Sequence, residues 1–211
     1  MAEIVVVGGG GHAKVVISVL KKLRRFRIVG YTDTSDRGDI LGVKYIGNDE
    51  VFADMVKKFP GLCAAIGIGT VGVSDLRREV MNRISGYGCL FPPIASPDAV
   101  VNEDVSLGDG TVVLDGAVVN SGTVVGEGAI LNSNCTVEHD CRIGDYVHIA
   151  PGATLSGGVE VGDSSMVGAG ATIVQYKKVA SGCLVGAGAT VVEDLTEPGT
   201  YVGTPAGRSG K

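Results

Sequence analysis

Three histidines are the residues of this chain best suited to proton transfer. His139 is followed directly by Asp140, His148 lies nine residues further on, and His12 follows a run of four glycines. An imidazole can accept a proton near neutral pH, and a neighbouring carboxylate can orient the ring and raise its basicity. The His139–Asp140 pair therefore predicts a general base that activates an amine or a hydroxyl. A solvent-facing histidine beside an incidental aspartate would show the same spacing.

Aliphatic residues recur at every sixth position around this pair. The anchors from Val101 to Val191 are all valine, isoleucine or leucine, and their 15 intervals are uninterrupted. A short fixed period is the signature of a parallel β-helix, in which three hexads make one triangular coil. The run predicts five such coils, with the anchors inside. His139, two residues past the anchor Val137, should then point outward near a corner.

Two further features of the hexads fit a narrow prism. The position four residues past each anchor is mostly small and should face the interior; its members are Thr111, Ala117, Thr123, Ala129, Cys135, Cys141, Ala153, Ser165, Ala171, Cys183 and Ala189. Glycine often follows an anchor directly, at 108, 126, 144 and 162. We expect these glycines to form the tight corners between faces.

The first hundred residues alternate strand and helix signals. Strands are predicted over 4–7, 28–31, 63–68 and 89–91, with helices after the first glycine run, over 48–58 and over 74–85. This order predicts a small parallel sheet of Rossmann type with four or five strands. Prolines at 92, 93 and 97 mark a boundary. We therefore predict an α/β domain over 1–93 and an all-β solenoid over 94–211.

A glycine turn ends the first predicted strand. The pattern Gly8-x-Gly10-x-x-Ala13, with Asp33 twenty positions after Ala13, fits a dinucleotide fingerprint. Backbone N–H groups and a helix N-terminus at such a turn can hold phosphate. A merely tight strand-to-helix turn is the alternative. The small sheet lacks two mononucleotide halves, so a single nucleotide diphosphate fits better than NAD.

Composition excludes several classes of protein. The 211 residues carry a net charge of −5, without the Lys/Arg cluster of a nucleic-acid surface. No apolar run reaches the roughly 18 residues of a membrane span, and the first residues do not read as a signal peptide. Five cysteines without CxxC spacing predict reduced structural thiols in a cytoplasmic protein and no metal site.

Three blocks carry a family resemblance along the whole chain. Residues Gly8–Val16, Val137–Cys141 and Tyr201–Ala206 occur in the order found in bacterial nucleotide-sugar acetyltransferases related to sialic acid O-acetyltransferases. Within that group the chain most resembles the 4-amino-sugar N-acetyltransferases of glycan biosynthesis. The resemblance implies a left-handed β-helix, acetyl-CoA as cosubstrate, no metal, and a homotrimer that binds CoA between neighbouring prisms.

The resemblance also assigns catalytic and cosubstrate roles. His139 would be the general base for the sugar amine, and Asp140 would enhance its basicity. His148 would help to hold acetyl-CoA. The backbone of three small residues would border the CoA channel: Gly157, Ala169 and Ala187.

The predicted sugar-nucleotide site lies in the first domain. By the same resemblance, the phosphates would contact Gly10, Gly11 and His12. The nucleoside base would contact Asp33 and Thr34. Gly69 would close the pocket, although Gly67 competes for that position.

Several alternatives stay open at this stage. The chain departs from the family at residues 175–178, where Gln-Tyr-Lys-Lys replaces the usual Pro-Gly turn. Lys177 should point out at this corner, where it would meet CoA phosphates or only solvent. O-acetylation of sialic acid or a related sugar would use the same histidine. An inactive structural or regulatory solenoid is a non-enzymatic alternative, and the base could be uracil or guanine.

Overall fold

The computed structural model describes residues 1–210. Its first part is a three-stranded parallel sheet in the order β2-β1-β3. The strands are β1 (Ala2–Val7), β2 (Phe26–Thr32) and β3 (Cys63–Ile66), and the helices are α1 (Gly11–Leu23), α2 (Phe52–Lys58) and α3 (Leu76–Ser85), with a 3-10 turn at Asp49–Val51. The Rossmann-like alternation is confirmed.

The sheet is smaller than the sequence predicts. The predicted strand over 89–91 contributes only an isolated bridge between Cys63 and Leu90, and β3 ends at Ile66 rather than at residue 68. Two prolines follow at once, Pro92 and Pro93. A proline has no backbone N–H to continue a ladder, so pairing beyond Leu90 is lost.

Strand β1 is the centre of this domain. Its residues 4–7 are all at most 2% exposed. Ile4 and Val6 pack against α1, whereas Val5 and Val7 pack against α3 and Phe52. The alternation of side chains along a strand places one set on each layer. Helices therefore cover both faces of the sheet and leave its carboxyl edge open.

The second part is a parallel β-solenoid with three faces. Face A contains Ile94–Ala95, Val112–Val113, Ile130–Leu131, His148–Ile149, Met166–Val167, Cys183–Val185 and Gly199–Val202, with antiparallel Gly207–Arg208 at its end. Face B contains Val100–Val101, Val118–Val119, Thr136–Val137, Thr154–Leu155, Thr172–Ile173 and Thr190–Val191. Face C contains Ser106–Leu107, Val124–Val125, Arg142–Ile143, Glu160–Val161 and Lys178–Val179.

The hexad phase is confirmed by the register. From Ile94 to Val191, each short strand pairs with the strand 18 residues away, for example Val137 with Leu155 on face B. Each anchor is the last residue of its strand, and the anchors are buried except near the open end, where Val101 is 37% exposed. The small residues four past each anchor are buried as well. The solenoid makes about six turns rather than the predicted five, because the face A strands Ile94–Ala95 and Gly199–Val202 extend it beyond the anchors.

The corners use a different position from the one predicted. The residue with positive φ lies three places past each anchor, as at Gly122 (+77°) and Asp140 (+59°). The glycines directly after anchors have ordinary φ and serve close approach of the coils. A Cβ on Gly144 would lie 2.8 Å from the backbone nitrogen of Asp163 in the next coil. The prediction of tight corners at these glycines is therefore wrong.

Face A packs against the α/β domain. Ile94, Val112 and Ile130 share one buried cluster with residues of α1, including Val16 and Leu20. The first solenoid strand begins at Ile94. Because Ile94 belongs to the shared cluster, the hydrophobic core continues across the predicted domain boundary after residue 93. Within residues 1–210, no helix has the length and apolarity needed to cross a bilayer.

Candidate functional site

His139 and Asp140 lie at the corner between faces B and C. Asp140 adopts a φ of +59°, a conformation that aspartate tolerates better than most residues. This turn brings its Oδ2 to 2.9 Å from His139 Nδ1. The His139 side chain remains 55% exposed. The corner thus turns the carboxylate back onto an outward imidazole, as the sequence pattern requires.

Two glycines make room for this pair. A Cβ on Gly157 would lie 2.5 Å from His139 Nε2, and a Cβ on Gly122 would lie 2.5 Å from Asp140 Oδ1. Gly157 is therefore the seat of the imidazole, one coil further along. Because Nδ1 donates to the carboxylate, the lone pair stands on Nε2, where it can accept a proton.

His148 lies on face A, under the loop that follows β3. Its Nδ1 is 3.3 Å from Thr70 Oγ1, and its Nε2 is 3.0 Å from Asn132 Nδ2. Asn132 Oδ1 accepts the Ser133 N–H at 2.8 Å, which fixes the amide orientation. The Nε2 of His148 therefore accepts, and its Nδ1–H donates to Thr70. Burial, reinforced by the charge of Arg77, lowers the pKa of His148 to about 4, so the ring is neutral.

The glycine turn is shaped by its own backbone and by Asp33. Asp33 Oδ2 accepts the Gly9 N–H at 2.8 Å, and Gly8 takes a φ of +102°. In contrast, a Cβ on Gly10 or on Gly11 would meet nothing within 4 Å. Helix α1 begins at Gly11 with neither a side-chain cap nor an acidic residue in its first turn. Open space beside uncapped N–H groups is suited to an anion.

The predicted substrate residues line one cleft at the carboxyl edge of the sheet. One cavity of about 420 Å³ contains Gly8–Gly11, His12, Asp33 and Gly67–Val71. A second cavity of about 490 Å³ shares Gly8, Asp33 and Ile68 with it. The second cavity is further lined by Thr34, Asn48, Asp49, Glu50, Leu76, Arg83 and Tyr87. The glycine turn thus lies between two arms of the cleft: the second cavity extends toward Thr34, and the first extends toward Thr70.

Glycines 67 and 69 both line the first cavity, for different packing reasons. A Cβ on Gly67 would press on Val6 and Ala13 at 2.8 and 2.9 Å. A Cβ on Gly69 would lie 3.2 Å from the Cβ of His12. Burial, followed by the nearby Arg77 and His148, lowers the pKa of His12 to about 3. His12 is therefore a neutral group beneath the loop.

One chain does not assemble the whole predicted acetyl-CoA site. Gly157 lies at the face B–C corner with His139. Ala169 and Ala187 are stacked at the opposite edge of face B, where Gly188 N–H donates to the Ala169 carbonyl at 2.9 Å. His148 stands close to that second edge, at the end of face A. The width of face B separates the two groups.

The divergent corner at 175–178 places aromatic and basic groups side by side. Tyr176 takes the corner position with a φ of +59°, and its ring packs over Gly158. Lys178 Nζ is 3.0 Å from Glu160 Oε1 on face C, whereas Lys177 is half-buried. Within residues 1–210, neither lysine makes a hydrogen bond or an ion pair with another candidate residue.

All five cysteines are buried thiols, without disulfides across the described chain. Burial raises the pKa of Cys135 to about 12 and of Cys89 to about 11, so neither is a thiolate at neutral pH. Residues 1–210 contain no group of three or more His, Cys, Asp or Glu arranged to hold a metal ion.

Comparison with known proteins identifies the family. Residues 3–84 match the PglD N-terminal domain model, and residues 122–157 match the bacterial transferase hexapeptide model of six repeats. PerB from Caulobacter crescentus, solved with CoA and GDP-perosamine, is 33% identical with a TM-score of 0.91, over 100% of this chain and 98% of that chain. The chain belongs to the hexapeptide-repeat nucleotide-sugar N-acetyltransferases.

Two further proteins are similar to this N-acetyltransferase. The acetyltransferase domain of PglB from Neisseria gonorrhoeae FA1090, in complex with acetyl coenzyme A, is 34% identical over 98% of each chain, with a TM-score of 0.90. UDP-N-acetylbacillosamine N-acetyltransferase from Bacillus subtilis strain 168 is 29% identical over 115 residues. That match covers 54% of this chain and 52% of the relative. The family resemblance and the acyltransferase class are confirmed.

Three residues of this N-acetyltransferase escaped the sequence reasoning. Thr70 and Asn132 hold His148 from opposite domains, and Arg77 is buried and donates to the carbonyls of Ile68 and Gly128. Arg77 had a usable signal, because it shares a helical stripe with Val80 and Ile84 in α3. Thr70 and Asn132 gave none, since their contact depends on how the two domains pack.

Proposed function

We propose that this chain transfers an acetyl group from acetyl-CoA to the 4-amino group of a nucleotide-linked 4-amino-4-deoxy sugar. The observation that carries the proposal is the seam at Thr70 and His148, where one end of the nucleotide cleft meets the acyltransferase solenoid. If the nucleotide cleft ended away from the solenoid, joining these two domains in one chain would serve no catalytic purpose. The Caulobacter relative with CoA and GDP-perosamine supports the same pair of ligands.

The cleft suggests how the sugar nucleotide lies. The diphosphate would rest on the open N–H groups of Gly10 and Gly11, at the start of α1. The base would enter the arm beside Asp33 and Thr34, and the sugar would extend toward Thr70. The binding test includes both uracil and guanine nucleotides, since the relatives include a UDP-sugar enzyme and one solved with a GDP sugar.

The chemistry follows from the His139 geometry. The neutral sugar amine would attack the thioester carbonyl, and His139 Nε2 would take the proton that the nitrogen loses. The C–S bond breaks, and the CoA thiolate leaves and takes that proton from His139, which returns the base to its neutral form. Asp140 would hold Nδ1–H and stabilise the imidazolium, while a backbone N–H near the acetyl group would stabilise the oxyanion. The buried, protonated cysteines favour direct transfer without an acyl-enzyme.

A homotrimer would complete the site. Face A is covered by the α/β domain, and face C presents Arg142, Glu160 and Lys178. The outward residues of the face B strands are uncharged, and Glu138 at the end of one strand accepts a hydrogen bond from Asn120. Those outward residues are Val100, Val118, Thr136, Thr154, Thr172 and Thr190. With face B turned to a threefold axis, rotation places the His139 corner of one chain against the opposite face B edge of its neighbour. Gly157 would then meet Ala169, Ala187 and His148 of the next chain around acetyl-CoA.

Mixed trimers test this shared site. His139→Ala and Gly10→Val chains would each be nearly inactive alone at low sugar nucleotide. Random mixing should restore about a quarter of wild-type activity, because that share of sites pairs an intact His139 with an intact Gly10 from different chains. A mixture as inactive as its parents, with mixed trimers present by mass spectrometry, would mean that each site lies within one chain.

The cell compartment is part of the proposal. Five buried reduced thiols support a reducing, cytoplasmic setting. Acetyl-CoA and nucleotide sugars as the two ligands point to the same setting. The activity itself is tested by incubating the chain with acetyl-CoA and UDP- or GDP-linked 4-amino sugars, with free sialic acid as the competing acceptor.

A further inference from the structure

Arg77 is a buried cation without an anionic partner. It is 2% exposed in the first turn of α3. Its NH1 donates to the Ile68 carbonyl and its NH2 to the Gly128 carbonyl, each at 2.6 Å. Its Nε has no hydrogen-bond partner among residues 1–210. The ten ion pairs found in that part of the chain do not include it.

Folding stability does not account for this arrangement. A buried charge without a countercharge loses its hydration, and two carbonyl contacts do not replace a carboxylate. An apolar side chain of similar length would pack in the same place without that loss. The two carbonyl bonds join the loop after β3 to the solenoid, but they leave the charge of the guanidinium without a counterion, which an anion in the adjacent cleft would supply.

The groups that face Arg77 are all neutral. Burial raises the pKa of the Tyr146 phenol and lowers the pKa of both His12 and His148. Arg77 is thus the only permanent charge in this cluster of four side chains. Ile68, whose carbonyl Arg77 binds, is a lining residue of both cavities of the cleft.

We propose that Arg77 is the fixed countercharge for the diphosphate of the sugar nucleotide, acting through the protein interior without touching the ligand. The inference rests on the proposed function. A charge in a low-dielectric interior is weakly screened, so it favours an anion in the adjacent cleft over a longer distance than a surface charge would. Burial of the cation lowers the free energy of unfolding of the empty protein, and binding of the anion offsets that loss.

Arg77→Met and Arg77→Lys test this role, with Arg78→Met as the matched control. Arg78 is the next residue in the same turn of α3. Its side chain is 37% exposed and pairs with Asp75. The ligands for calorimetry are GDP, UDP, GMP, UMP, inorganic pyrophosphate and acetyl-CoA. Arg77→Met should weaken binding of the preferred nucleoside diphosphate by about tenfold or more, and of its monophosphate by less. Acetyl-CoA affinity should stay as in wild type, and the Tm of the empty protein should hold or rise.

The other variants sharpen the interpretation. Arg77→Lys keeps the charge and should retain more affinity than Arg77→Met, and Arg78→Met should bind like wild type. Unchanged diphosphate affinity in Arg77→Met would overturn the inference, as would equal losses for diphosphate, monophosphate and acetyl-CoA with a lower Tm, which indicate a structural role. Wild-type protein that binds neither a nucleoside diphosphate nor pyrophosphate would overturn the proposed function first. If wild type binds the nucleoside diphosphate and Arg77→Met binds it equally well, the inference about Arg77 fails and the proposed function stands.

Discussion

Two neutral histidines, the buried His148 and the half-buried His12, should make the protein lose stability in mild acid. His148 has a pKa of about 4 and His12 of about 3 in the folded chain, against an ordinary value of 6.5. Below pH 6.5 the unfolded chain takes up protons that the folded chain refuses. Stability is therefore fully present above pH 6.5 and falls as the pH drops toward 4 for His148 and toward 3 for His12.

The size of the effect follows from those values. Between pH 6.5 and pH 5, each ring should cost about 2 kcal/mol, at about 1.4 kcal/mol per pH unit. The assay is urea unfolding followed by circular dichroism at several pH values and one protein concentration. His148→Gln and His12→Gln should each remove about half of the slope, whatever they do to stability at pH 7.

A substitution that adds and removes no titratable group supplies the control. Gly207→Ala, whose Cβ meets nothing within 4 Å, should leave the acid slope as it is in wild type. A wild-type free energy of unfolding that is flat from pH 7 to pH 5 would refute the reasoning. The same slope in His148→Gln and His12→Gln as in wild type would refute it too.

Substitutions at the site give three more predictions. His139→Ala should lower kcat by roughly 100- to 10,000-fold with little change in ligand binding, and Asp140→Asn should cost less; near-normal kcat in His139→Ala would reject the base. Gly157→Ala should displace the imidazole and lower kcat by up to about 100-fold, while Gly207→Ala, whose Cβ meets nothing within 4 Å, should not; equal rates would reject the seat. Gly10→Val should raise KM for the sugar nucleotide strongly and KM for acetyl-CoA little; an unchanged sugar-nucleotide KM would make the turn merely structural.

The sequence predicted most of the solenoid because one period governs it. Once Val137 is an inward anchor, His139 must point out and Asp140 must fall at the corner. The corner position itself was misjudged, because glycine serves two purposes in each hexad. One glycine permits a positive φ, whereas another permits close approach of the next coil, and sequence letters do not separate them.

The rest of the site depends on contacts between distant segments. The resemblance pointed to His148, but not to its burial beneath Thr70, which is 78 residues away in sequence. The extent of the sheet was overestimated, because a short apolar run reads as a strand whether or not it finds a partner. The division of the acetyl-CoA residues between two edges of face B likewise follows from the coil geometry, and no local pattern encodes it.

The central claim is acetyl transfer to a sugar amine, and product analysis tests it most directly. Purified chain would be incubated with acetyl-CoA and UDP- or GDP-linked 4-amino-4-deoxy sugars, and the product examined by mass spectrometry and NMR. We expect one acetyl group on the 4-amino nitrogen, formed by wild type and nearly absent with His139→Ala. Acetylation of a hydroxyl, or acetyl-CoA binding without product from any amino sugar in either nucleotide series, would contradict it.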